Sequence, residues 1–112
     1  MPSRSTIRAA LTCLLLASVA APARSQDRLP PIPIERQTEL VLEQLKLCVE
    51  TAGSSLDNVL KCNVYCTSVE KFAAVNAIYA RYFPKNPPAR IFICVPAWPG
   101  HFDIEIDCIA AV

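Results

Sequence analysis

Residues 86–108, "NPPARIFICVPAWPGHFDIEIDC", set one arginine at the head of an apolar run and three carboxylates, Asp103, Glu105 and Asp107, at alternate positions near its end. A planar guanidinium can grip a carboxylate through two parallel hydrogen bonds, and a glutamate close by can orient a water and take its proton. Both groups need fixed positions for that chemistry. If "PAWPGH" is a plain hairpin centred on Ala97 and Trp98, pairs summing to about 195 face each other, which sets Arg90 across from Glu105. If the connector carries the chain elsewhere in the sheet, the two meet across a subunit boundary instead. The plainer alternative is an exposed cross-strand ion pair, which contributes less than about 1 kcal/mol.

The elements that must position these groups alternate between helix and strand. In "IERQTELVLEQLKLCVETA" Val41, Leu42, Leu45, Cys48, Val49 and Ala52 recur at helical spacing, and Gly53 stands where a C-terminal stop belongs. "NVLKCNVYCT" alternates as a strand with Cys62, Val64 and Cys66 on one face. Ser68 can cap the following helix, whose stripe is Phe72, Val75, Ile78, Tyr79 and Tyr82 and which Pro84, Pro87 and Pro88 close. "RIFICV" and "FDIEIDCIAAV" read as two further strands. Strand, helix and strand in this order predict a right-handed crossover between parallel neighbours, and hence one mixed sheet with two helices on one face. Alternation puts Arg90, Phe92 and Cys94 on one side of the first of these strands and Ile91, Ile93 and Val95 on the other. The isoleucine side is expected under the helices, with Arg90 and the carboxylates facing away.

A chain of 112 residues with 53% hydrophobic and 19% charged residues suits one globular domain. Its net charge of +1 has none of the basic excess that binding to a phosphate backbone requires, so no nucleic-acid partner is expected. Residues 1–26 form a leader: Arg4 and Arg8 precede an apolar run from Ala9 to Ala21, with cleavage placed after Ala23. The run is too short to span a bilayer comfortably, and no membrane association is expected of the mature chain, residues 27–112. Export to the periplasm or exterior, a mitochondrial presequence and a misplaced start codon all fit this pattern. Of six cysteines, Cys13 lies in the leader and five remain, too odd a set for full pairing. Buried free thiols fit them better, and those suit a cytoplasmic or mitochondrial protein. His101 is the only histidine, so zinc lacks ligands and no metal is expected.

"AGSSLDNVLKCNVYCTSVEKFAAVNAIYARYF", "NPPAR" and "DIEIDCIAAV" resemble, in order and spacing, the Rid family, also called YjgF or UK114, over about two-thirds of the chain from Ile34 to Val112. The resemblance implies an α+β, chorismate mutase-like fold and a homotrimer whose ligand clefts lie between subunits. It implies that Arg90 binds a substrate carboxylate, that Glu105 positions a catalytic water and that Asn76 lies near the ligand. Ile91 and Phe92 stand where smaller residues are usual, so Phe92 is expected to shape the pocket. The "GPYSQ" and "SGQIP" segments that begin family members have no counterpart, so the N-terminal strands are expected to be missing or replaced. The implied activity is hydrolysis of the 2-imino acids 2-aminoacrylate, 2-iminopropanoate and 2-iminobutanoate to 2-keto acids and ammonia, without a cofactor. A non-catalytic trimer that binds small ligands or serves proteostasis is the alternative. Ribonuclease activity, an older family label, is disfavoured by the near-neutral charge and lone histidine.

Overall fold

Helix α1 (Ile34–Thr51) forms because its apolar residues recur every three or four positions, and it buries Val41, Leu42, Leu45 and Val49. It stops at Gly53, which takes the left-handed φ of 84° that a side chain would oppose. Gly53 N donates to Glu50 O and Ser54 N to Val49 O, at 3.0 and 2.8 Å, so the last carbonyls are satisfied as the sequence predicts. The computed structural model describes residues 6–10 and 32–112. Strand β1 (Thr6–Ala10) precedes α1, and β2 (Val59–Cys66), α2 (Phe72–Tyr82), β3 (Ala89–Cys94) and β4 (Ile104–Ala111) follow it. One helical turn before α2, the Ser68 hydroxyl accepts from Glu70 N, which is the expected cap.

The four strands make one sheet in the order β1-β4-β2-β3. Strands β2 and β3 are parallel and joined through α2, as the strand-helix-strand pattern requires. Strand β4 runs antiparallel to β2 on its other side, and β1 runs antiparallel to β4 at the edge. Residues 6–10 of the segment read as a leader are thus a strand paired with β4. The rest of that segment, with Cys13 and Ala23, lies outside the described residues.

The register settles the connector's two alternatives and corrects one expectation. Strands β3 and β4 do not form a hairpin, because β2 lies between them: Arg90 is level with Cys62 and Cys108, and Glu105 with Tyr65 and Ile93. The connector crosses the end of β2, pinned on one side by Val95 N to Cys66 O and on the other by Thr67 N to Asp103 O, at 2.8 and 3.0 Å. Within it a side chain at Gly100 would run into the Phe102 ring, and Trp98 Nε1 donates to Phe102 O at 2.6 Å. The expectation corrected is the face of β3. Register pairs Arg90, Phe92 and Cys94 with Cys62, Val64 and Cys66, which are fully buried under the helices. Arg90 and Phe92 therefore lie on the helix side, and Ile91 and Ile93, each 43% exposed, on the open side. As an edge strand, β3 flanks the core and leaves its isoleucines uncovered.

Leu42, Leu45, Val49, Val64, Val75, Ile104 and Ile106 build the core between helices and sheet, each contributing about 1.5–3 kcal/mol by its burial. All five described cysteines are free; Cys62, Cys66 and Cys108 are buried, Cys48 is half-buried and Cys94 is exposed. Asp103 fastens the entry to β4. Its carboxylate accepts from Thr67 Oγ1 at 2.8 Å and Gln37 Nε2 at 3.0 Å, while its own N–H donates to Gln37 Oε1 at 2.8 Å. One side chain thereby ties α1 and the end of β2 to β4. Burial acts to raise its pKa, but the Thr67 and Gln37 bonds, with Lys71, outweigh it and hold the carboxyl below its ordinary value.

A carboxyl depressed in the folded state stabilises fully above its unfolded pKa and loses that effect as pH falls through the lower folded value. Asp103→Asn should therefore cost about 1–2 kcal/mol at pH 7 by urea denaturation, charged hydrogen bonds being discounted for partial exposure. The difference from wild type should shrink in acid below the ordinary aspartate range; a gap that persists there would assign the loss to shape rather than charge.

Candidate functional site

Arg90 sits near the start of β3, on the face covered by α2. Along α2, Phe72, Asn76, Tyr79, Ala80 and Phe83 recur at spacings of three and four, so they share the stripe that lies over β3. The Arg90 guanidinium carbon stands 4.8 Å from the Tyr79 ring centroid, 5.7 Å from that of Phe72 and 5.9 Å from that of Phe92. Phe72 and Phe92 meet edge to face at 4.8 Å. One guanidinium nitrogen, NH1, donates to Asn76 Oδ1 at 2.6 Å. The aromatic faces attract the cation by about 0.5–2 kcal/mol each according to solvation, and the short bond fixes the plane of the fork.

Beside this group opens a pocket of about 530 Å³ lined by Asn76, Tyr79, Ala80, Phe83, Pro87, Pro88 and Arg90. Pro87 and Pro88 stand there because they end the loop after α2 just before β3 begins. Asn76 is a neutral partner, and among the described residues no carboxylate lies in ion-pair contact with Arg90; the ion pairs there join Glu39 to Arg36 and Arg81. The cation is left free to meet an anion.

Glu105 occupies the other side of the sheet. It shares the open face with Tyr65 and Ile93, its neighbours in register, and with Asp107, whose carboxylate accepts from Asn63 Nδ2 at 2.8 Å. Burial first, and then repulsion by Asp107, push the Glu105 pKa above its ordinary value. The structure thus gathers Arg90, Asn76 and Phe92 and sets Glu105 on the opposite face of the same chain.

Tyr79 and Phe72 were missed as site residues because their spacing reads as core. Tyr79 is 5% exposed, which fits a core residue, yet its ring carries the guanidinium. The signal was their shared helical face with Asn76. The Tyr79 hydroxyl is buried with no hydrogen-bond partner, and burial, then the Cys62 thiol, raises its pKa far above the ordinary range. Among the described residues, no three His, Cys, Asp or Glu side chains are grouped to hold a metal, and no helix is long and apolar enough to cross a membrane.

A mixed sheet under two helices, with an arginine at the mouth of an apolar pocket, defines an α+β protein of the YjgF type. The family model for endoribonuclease L-PSP matches residues 6–112, and the chain belongs to that family, the Rid or YjgF family that its motifs resemble. It is 35% identical over 98 residues to Protein HMF1 of Saccharomyces cerevisiae, covering 88% of this chain and 76% of that one. It is 38% identical over 79 residues to the chloroplastic Reactive Intermediate Deaminase A of Arabidopsis thaliana, covering 70% of this chain and 42% of that one. The crystal structure of E. coli TdcF with bound serine superposes with a TM-score of 0.70 at 30% identity, over 75% of this chain and 68% of that one. The chain spans 61% of the length of several other curated relatives that it matches.

Tyr79→Phe keeps the ring beneath Arg90 and removes only the orphaned hydroxyl. It should leave stability unchanged or raise it by about 1 kcal/mol in urea denaturation, since an unsatisfied buried polar group costs about 1–3 kcal/mol. A loss above about 1 kcal/mol would mean that the hydroxyl and the Cys62 thiol form a stabilising bond.

Proposed function

We propose that this protein hydrolyses reactive 2-imino acids, such as 2-aminoacrylate in its 2-iminopropanoate form and 2-iminobutanoate, to 2-keto acids and ammonia, in a homotrimer. The observation that carries the reading is the uncompensated Arg90 guanidinium, braced by Asn76 and three aromatic rings at the mouth of a pocket. Its remaining N–H groups are donors for a carboxylate, and binding there fixes the neighbouring imino carbon in space. A relative named as a reactive intermediate deaminase and another solved with serine, an amino acid, support the substrate class.

The water-activating group is Glu105 of the partner subunit. Within one chain the two groups face opposite ways, whereas the open face, with Ile91 and Ile93 exposed beside Glu105, suits packing against another copy. Water adds to C2 of the protonated imine as Glu105 takes one of its protons. That proton passes to the amino nitrogen of the carbinolamine; Glu105 then takes the hydroxyl proton as the C–N bond breaks and C2 becomes a carbonyl, and the ammonia released carries that proton away as ammonium. The separation of Arg90 from Glu105 in one chain also favours a second reading, a trimer that binds the same carboxylates without catalysis.

The following outcomes decide between them. Arg90→Ala and Glu105→Gln should each lower imine hydrolysis by at least about a hundredfold, in line with the loss of a binding or acid-base group. Arg90→Ala should still fold cooperatively, with a melting temperature lowered by several degrees for the lost ring and Asn76 contacts, since it removes no core side chain. Subunits of the two variants, unfolded together and refolded as a mixture, should recover part of the activity, because mixed trimers contain an intact Arg90 facing an intact Glu105. No recovery would place both groups in one chain's site or remove Glu105 from catalysis. Activity should also fall in acid, because a base must be ionised and the Glu105 pKa is raised. Asp107→Asn removes the repulsion, so the acid limb of kcat/KM should move to lower pH; a limb that stays in place would show that another group titrates.

A further inference from the structure

This chain's wall of the pocket offers more hydrocarbon than a three-carbon imino acid can cover. Its polar end is Arg90 with Asn76, and the rest of its wall is the apolar surface of Ala80, Phe83, Pro87 and Pro88. With the carboxylate on Arg90, a methyl side chain would leave most of that wall against water. A branched or aromatic side chain would cover it. Among the described residues of this chain, Arg90 is the one charged group in that lining.

We infer that the Arg90 pocket prefers 2-imino acids with bulky apolar side chains, isobutyl or benzyl, over the three- and four-carbon imino acids, and that Ala80 sets this preference. The inference rests on the function proposed above for the same site and names its substrate class. Ala80 carries the smallest side chain of the wall and follows Tyr79 on α2, so a larger residue there projects into the space a bulky side chain would take. It is exposed on the helix surface, so substitution removes nothing from the core. Phe83 and the two prolines make up the rest of the apolar lining, the prolines held by their fixed φ.

The test generates imino acids in place from L-leucine, L-phenylalanine and L-alanine with an L-amino-acid oxidase and follows their hydrolysis by the full chain. The leucine- and phenylalanine-derived imines should exceed the alanine-derived one in kcat/KM by at least about tenfold, the low end of what one methylene contributes in an apolar pocket. Ala80→Phe and Ala80→Leu should each reduce that ratio by about tenfold. A wild-type ratio at or below one, or a ratio that neither variant changes, overturns the inference. If no imine is hydrolysed, the catalytic proposal fails instead, and calorimetry decides the pocket: 4-methyl-2-oxopentanoate binding at least about tenfold tighter than pyruvate, with the difference lost in Ala80→Phe, upholds the preference, and equal or absent binding ends it.

Discussion

Strand β2 is the constraint on which the rest of the molecule depends. It hydrogen-bonds to β3 on one side and β4 on the other, and its Cys62, Val64 and Cys66 are sealed beneath both helices. Because side chains alternate strictly along a strand and partners in register point to the same side, burying these three residues dictates the orientation of everything beside them. Arg90 goes to the helix side because Cys62 does. Glu105 goes to the open side because its partner Tyr65 lies between the buried Val64 and Cys66.

On the helix side, the cost of bringing a guanidinium close to a core is offset by the way it is held. Arginine is planar and weakly hydrated, so ring faces can replace part of its water without loss of attraction. Tyr79, itself fixed in the core, supplies the nearest face, and Asn76 satisfies one nitrogen without cancelling the charge. An aspartate in place of Asn76 would neutralise the cation. The neutrality of that one partner leaves a core-adjacent arginine with its charge uncancelled rather than half of a structural ion pair.

The three carboxylates that alternate near the chain's end divide their work by what surrounds each. Asp103 precedes β4 and is consumed by Thr67 and Gln37 as a fastening between α1, β2 and β4. Asp107 is satisfied by Asn63 across the strand pair. Glu105, half-buried beside Asp107 and with its pKa raised, shares its face with the exposed Ile91 and Ile93. A run of like charges on one strand is tolerated because two of its members are already hydrogen-bonded.

Local patterns in the sequence determined the kinds and order of the elements from α1 to β4, the stop at Gly53, the cap at Ser68 and the buried sides of β2 and β4. Each follows from a period of two or 3.6, or from the chemistry of a single cap, and such signals act over a few residues. The family resemblance pointed to Arg90, Asn76 and Glu105, and Phe92 stood out as a departure from the family pattern. Only the tertiary structure decided that β2 separates β3 from β4, that β3 turns Arg90 toward α2, that Tyr79 and Phe72 complete its setting and that Glu105 faces away. Alternation states which residues share a face of a strand but not which face a helix covers, and a connector of two prolines and a glycine does not reveal whether it turns back on its neighbour or crosses over it. Those choices rest on hydrogen bonds and packing between segments far apart in the chain.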